Sequence, residues 1–364
     1  MDHSAKHVVI VGATNMDRVR LHPNLDSIED GKFRANHSYS AVGGGGANVA
    51  IALKQLASAV NMPLHVTFFT KIGREHHDYN LRHEVYQGME SVGVDMRDLV
   101  ANQDFRIDDN TVISFSGGRF VSLMEEFGKA KLTTRGPLDH MLPPKVEPYD
   151  PGVVEQVLQA VKGADFVIIT HHYPEISEAA ALAAHESGIP VLMDYPVTKY
   201  DAAWKYQRTL EVCDYILAPA EARLPDMVEG AYKNGNSLFS RLSSRYPDTF
   251  VAVSDGTEPV LTHHQGEKGQ IPVMQFPVVD PLGTGDARTA AFALFVVRGD
   301  DPVAALKRAS RIASYSVQHP GRDWVHSIEA FMASQPIFND PAANDPVAND
   351  RDDNTPGISE NIIG

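Results

Sequence analysis

A chain of 364 residues, 43% hydrophobic and 22% charged, has room for a large core in one big domain or two modest ones. Its 32 basic and 47 acidic residues leave a formal charge of −15. That balance argues against a protein that coats nucleic acid, which needs clustered cations, although a local cradle can still hold a small anion. The single cysteine, Cys213, excludes an internal disulfide and a cysteine-built zinc cluster. With no apolar run of about 18 residues, no membrane span is expected. The N-terminal apolar run, about five residues ahead of a Gly turn, is too short for a signal peptide. A reducing cytoplasm is the expected setting.

Taken in chain order, HVVIVGA is a short buried strand running into a turn, and GGGGANVAIALKQLASAV is a Gly loop feeding an Ala-rich helix. LHVTFFTKIG follows as strand and turn, then RHEVYQGMESVGV as a helix with a Gly stop. Beyond Pro151 the alternation is cleaner: GVVEQVLQAVKG helix, ADFVIIT strand, SEAAALAAHESG helix, IPVLMDY strand. CDYILA and TFVAVSD are two more strands, and GDARTAAFALFVVRG is a helix. Short apolar strands alternating with helices predict a mostly parallel sheet covered on both faces. Two stretches interrupt it, Gly31 to Val42 and Asp109 to Phe127, both rich in β-branched and aromatic residues, the second with an SGGR hairpin turn. They predict a small β-lid assembled from two excursions. The end of the chain, with its repeated Asn-Asp-Pro-Ala-like unit, holds six acids and one Arg from Gln335 onward. It lacks the apolar surface to offset its own ordering entropy and is expected to be a flexible acidic tail.

Three motifs carry chemistry. In AVGGGGANVA, Gly43 to Gly46 permit positive φ and close backbone approach, ahead of a helix N-terminus that favours negative or polar groups. No Lys-Ser/Thr pair follows, so it is not a P-loop, and the first strand lacks the spaced glycines of a dinucleotide fingerprint. In GATNMD, Asn15 and Asp17 lie two apart and share a face if extended, suited to sugar hydroxyls, although an Asx-rich turn explains them equally. In VVDPLGTGDA, the amides of Gly283, Thr284 and Gly285 can converge on one spot beside Asp286, an anion cradle with a base next to it. A turn with Asp286 as a plain helix cap fits the same residues. The histidine pairs His76-His77, His171-His172 and His263-His264 do not share a face and have no HExxH or Cys partner, so they predict no metal site.

In this order the motifs resemble those of the ribokinase family of carbohydrate kinases, the PfkB family. Gly43, Gly44, Gly46 and Asn48 match its early Gly-Gly-x-Gly-x-Asn loop; Asp280, Gly283, Gly285 and Asp286 match its late Asp-Thr-x-Gly-Ala-Gly-Asp signature. The likeness runs from about His7 to Ala333. It implies a Rossmann-like, mostly parallel sheet flanked by helices, with a β-lid that closes over the sugar and often pairs in a homodimer. It also implies Asp286 as catalytic base, Gly283, Thr284 and Gly285 as anion hole, and Asn15, Asp17, Gly43, Gly44 and Asn48 as sugar contacts. Ser254 and Gly256 in VSDGTEPVL fall on the nucleotide loop, with Asp280 on the same cofactor side. Glu221, in DYILAPAEARL, would organise Mg²⁺ through water. Departures are Ala218 where an Asn is expected, Pro281 for Thr, Thr284 for Ala, Arg288 where an aromatic is common, and Gly45 where some sugar kinases carry Lys.

The expectation is therefore an α/β kinase domain over residues 1–334, its lid drawn from about 17–42 and 105–135, followed by a tail at 335–364. The expected activity is transfer from ATP, with Mg²⁺, to an alcohol of a sugar or related polyol; a monovalent-cation requirement stays open. A nucleoside kinase of the same family is the nearest alternative. A catalytically weak sugar or nucleotide sensor, hinted at by Ala218, is another, whereas a nicotinamide oxidoreductase lacks its fingerprint.

Overall fold

The computed structural model describes residues 5–22, 37–73, 79–100, 107, 109–115, 119–126, 129–134, 149, 151–197, 203–224 and 235–339. Among them fourteen strands, numbered in chain order, form two sheets. The larger comprises β1 (Lys6–Val11), β4 (Leu64–Thr70), β5 (Asp95–Asp98), β9 (Phe166–Thr170), β10 (Val191–Asp194), β11 (Tyr215–Pro219), β12 (Phe250–Ser254), β13 (Val260–His264) and β14 (Glu267–Ile271). Their spatial order is β14-β13-β12-β11-β10-β9-β1-β4-β5. From β12 to β5 every pairing is parallel; β13 and β14 add an antiparallel edge.

The described residues also hold two short 3-10 helices, Trp204–Tyr206 and Asp323–Ser327, and ten α-helices: α1 (Gly45–Ala59), α2 (Tyr79–Ser91), α3 (Pro151–Lys162), α4 (Pro174–Glu186), α5 (Gln207–Val212), α6 (Gly235–Arg245), α7 (Thr284–Val297), α8 (Pro302–Ser316), α9 (Ile328–Ser334) and α10 (Pro336–Asn339). The period-2 alternation of each strand sorts its side chains between two cores. Val8 and Ile10 join α1, α2, α7 and α8 on one face; Val9 and Val11 join α3, α4 and α6 on the other. Burial on both faces is why these strands read as continuous apolar runs. No helix among the described residues is long and apolar enough to cross a membrane.

The second sheet has the order β3-β2-β6-β7-β8, from β2 (Asn15–His22), β3 (His37–Gly43), β6 (Asp109–Phe115), β7 (Arg119–Glu126) and β8 (Lys129–Thr134). It is the expected separate β-layer, with β6 and β7 in hairpin register. Its own apolar cluster is small: Val19, Leu21 and Val112, with Tyr39 and Leu282 packed against them. The C-terminal boundary differs from the sequence expectation. Residues 336–339 form a helical turn, where Arg308 Nε donates to the Ile337 carbonyl (3.0 Å) and Phe338 packs on the main core. Segment 340–364 lies outside the described residues, as do Gly31 to Asn36 of the first excursion.

Candidate active site

The site begins where the sheet order reverses. From β1 the chain proceeds to β4 on one side and later to β9 on the other, so a crevice opens beyond the carboxyl ends of β1 and β9. Close approach there needs glycine. A Cβ on Gly12 would lie 2.2 Å from Thr170 Oγ1 and 2.8 Å from Gly46 Cα, so Gly12 makes room for the Thr170 side chain of β9 and for the backbone at the start of α1. Gly44 serves differently: it caps α1 with a φ of 87°, which a side chain would strain.

Asn15 and Asp17 open β2 and face the backbone of β3, sharing one side of the strand as the two-residue spacing predicts. A Cβ on Gly43 would fall 1.9 Å from Asp17 Oδ2 and 2.5 Å from Asn15 Oδ1, so that glycine makes room for both side chains. Asn110 of β6 completes the group, its Nδ2 donating to Asp17 Oδ1 at 3.4 Å. Burial pushes the Asp17 carboxyl up to about 6, against the lowering effect of Asn110 and the Arg322 charge. The Oδ1 atoms of Asn15 and Asn110 are buried and accept no hydrogen bond among the described residues. Buried acceptors without donors are costly, and the O–H groups of a polyol would satisfy them.

Asp286 stands in the first turn of α7. The cap of that helix is Gly283, in the left-handed region at φ 76°, so the reading of Asp286 as an ordinary helix cap is corrected. The Thr284 hydroxyl and amide both turn back to the Pro281 carbonyl (2.9 and 3.4 Å), leaving the amides of Gly283 and Gly285 as the donors its turn can offer. Asn48, from the first turns of α1, donates Nδ2 to Asp286 Oδ2 at 2.7 Å. Gly45 lies beside the same carboxylate: a Cβ there would sit 3.6 Å from Oδ1, an ordinary contact. Burial and the nearby Asp194 charge push Asp286 up to about 7, with Asn48 and Arg322 opposing. Asp17, Asn48, Gly283, Asp286 and Arg322 line one cavity of about 40 Å³, roofed by Val19, Tyr39 and Ala41 of the second sheet.

Asp280 behaves unlike a ligand-facing group. Only 2% exposed, its carboxylate accepts from Tyr39 Oη (2.7 Å), Ser114 Oγ (3.1 Å), Leu282 N (3.1 Å) and Gly321 N (3.0 Å). It ties β3 and β6 to the turn that carries Gly283. Ser254 ends β12 beside Pro219 of β11, and Gly256 follows at φ 57° with open space around it; Glu221 is exposed just past β11. The structure therefore sets Ser254, Gly256 and Glu221 at neighbouring strand ends, apart from the residues lining the Asp286 cavity. Ala218 is fully buried and packs in the core on the α3–α6 face.

Four site residues carried no signal in the sequence reading. Tyr39 and Asn110 belong to the excursions, Asp194 ends the strand VLMD, and Arg322 follows α8 in HPGRDW. Asp194, nearly buried, is itself pushed up to about 7 by that burial, against the Arg288 charge. A carboxylate closing an apolar strand at the carboxyl edge of a parallel sheet was the available clue.

With this geometry established, comparison with known proteins gives the class. The family model for pfkB family carbohydrate kinases matches residues 138–323, and the chain belongs to that family. It is 24% identical over 316 residues to a ribokinase of Bacillus subtilis (strain 168), covering 86% of this chain and 93% of that one. Among solved structures, Arabidopsis thaliana ribokinase complexed with ribose and ATP superposes with a TM-score of 0.59 at 21% identity, covering 89% of this chain and 99% of that one. Adenosine kinase from Sinorhizobium meliloti gives 0.61 at 15%, covering 90% of this chain and 100% of that one. Both share the fold.

Proposed function

We propose that the protein transfers the γ-phosphoryl group of ATP to an alcohol of a sugar or related polyol. The observation that carries this reading is the Asp286 carboxyl, fixed by Asn48 on the same cavity as Asp17 and held near pH 7, where a general base works best. Asp17, Asn15 and Asn110 supply acceptors for the hydroxyls that are not phosphorylated. Asp286 takes the proton of the reacting hydroxyl as its oxygen attacks in line, and the amides at the start of α7 stabilise charge on the transferring group. The lid sheet excludes water while this happens.

Among the described residues no three acidic, histidine or cysteine side chains gather as a metal cage. Exposed Glu221 is the carboxylate that would hold hydrated Mg²⁺ brought with the nucleotide. Bound there, the ion would neutralise phosphate charge. Ser254 and Gly256 are proposed to border the nucleotide. A coupled ADP-release assay over a panel of sugars, polyols and nucleosides tests the proposal. Turnover on a sugar or polyol supports it, turnover on nucleosides alone redirects it to the nucleoside kinases, and binding without turnover overturns it.

A further inference from the structure

Arg322 lies 274 residues from Asn48 in sequence, yet its Nη1 donates to Asn48 Oδ1 at 2.8 Å and to the Val42 carbonyl of β3 at 2.8 Å. The backbone beside it is fixed. The Gly321 amide donates to Asp280, and a Cβ on Gly321 would meet the Tyr39 ring at 2.9 Å. A guanidinium has donors only, so whatever atom of Asn48 faces it must be the oxygen. The amide nitrogen then faces Asp286, where it donates at 2.7 Å. Without Arg322 the Asn48 amide is free to turn over and accept from the protonated Asp286 carboxyl, which favours the neutral form of the acid.

We propose that Arg322 is a positioning residue for proton removal: it locks the Asn48 amide in the orientation that donates to Asp286, and its charge keeps that carboxylate available as a base. The inference rests on Asp286 acting as the base. Other charges facing Asp286 are Asp194 at the end of β10, Asp17 on β2 and Arg288 on its own helix; Tyr39 faces Arg322 from β3. Asp194 and Asp17 push the carboxyl up, while Arg322 and Asn48 hold it down. Deleting Arg322 therefore acts in one direction on the acidic side of the rate profile.

The test is kcat and kcat/KM from pH 5 to 9 with the best acceptor of the panel. In Arg322→Met the acidic limb should move to higher pH by about one unit, the expected size for one charge acting across an amide. The activity deficit should be about tenfold at pH 6 and should narrow above pH 8. Arg322→Lys, which keeps the charge, should recover part of the displacement. Arg322→Gln keeps a buried hydrogen-bonding head group and serves if the Met variant does not fold; its limb should move the same way. An unmoved limb with a constant loss at every pH would overturn the proposal, as would a change confined to KM, which would make Arg322 an acceptor-binding group. Asp286→Asn separates the two levels: if it keeps normal turnover the base assignment fails, whereas an inactive Asp286→Asn with unmoved Arg322 profiles defeats this inference alone.

Discussion

Asp286→Asn separates chemistry from folding because the two respond in opposite directions. The new amide's oxygen still accepts from Asn48 Nδ2, and the helix cap, Gly283, is untouched, so the turn should persist. General-base catalysis contributes about 10²–10⁴-fold, and kcat should fall by that order with little change in acceptor affinity. Stability should rise. The carboxyl is lifted from 3.8 to about 7 in the folded protein, so the folded state binds this proton more tightly than the unfolded chain. Its ionisation costs nothing below about pH 4, and the cost grows until it is complete above about pH 7. At ~1.36 kcal/mol per pH unit the penalty is at most about 4 kcal/mol, part of it shared with Asp194. Denaturant melts should therefore show the variant equal to the parent near pH 4 and more stable at pH 8, while ADP release from the same preparations shows the loss of rate. Near-normal turnover would refute the base assignment. A variant destabilised at pH 8 would refute the account of the buried charge.

Asp194→Asn should act on the rate profile opposite to the Arg322 variants: removing a like charge lets Asp286 ionise earlier, moving the acidic limb of kcat/KM to lower pH. A limb that stays put would mean the two carboxyls do not interact. Hydrogen exchange in β2, β3 and β6 should slow when a saturating acceptor is bound, because the lid seals on it; equal exchange with and without acceptor would remove the lid closure. Removing residues 340–364 should leave melting temperature and activity nearly unchanged. Deleting from Pro336 should cost on the order of 1–3 kcal/mol, since it strips Phe338 from the Phe295 and Phe331 rings and removes the Ile337 carbonyl from Arg308. Equal melts for the two truncations would show that α10 contributes no stability.

The alternating sheet and its helices were legible in the sequence because period-2 and helical patterns are written locally, and a strand buried on both faces has few other ways to be spelled. The facing of Asn15 and Asp17, and the Gly-Thr-Gly turn leading into Asp286, were legible for the same reason: their geometry is settled within a few residues. What surrounds them was decided by the tertiary fold. Arg322 reaches Asn48, and Tyr39 reaches Asp280 across 241 residues, only because the segment after α8 and strand β3 meet over the carboxyl edge of the sheet. Asp280 matched a signature yet turned inward, and Ala218 marked a departure yet faces the core; both outcomes depend on which side of a strand or turn the chain presents. The acidity of Asp286 belongs to the same category. Burial and the charge of Asp194 set it, and a linear sequence carries neither desolvation nor the distance between two strand ends.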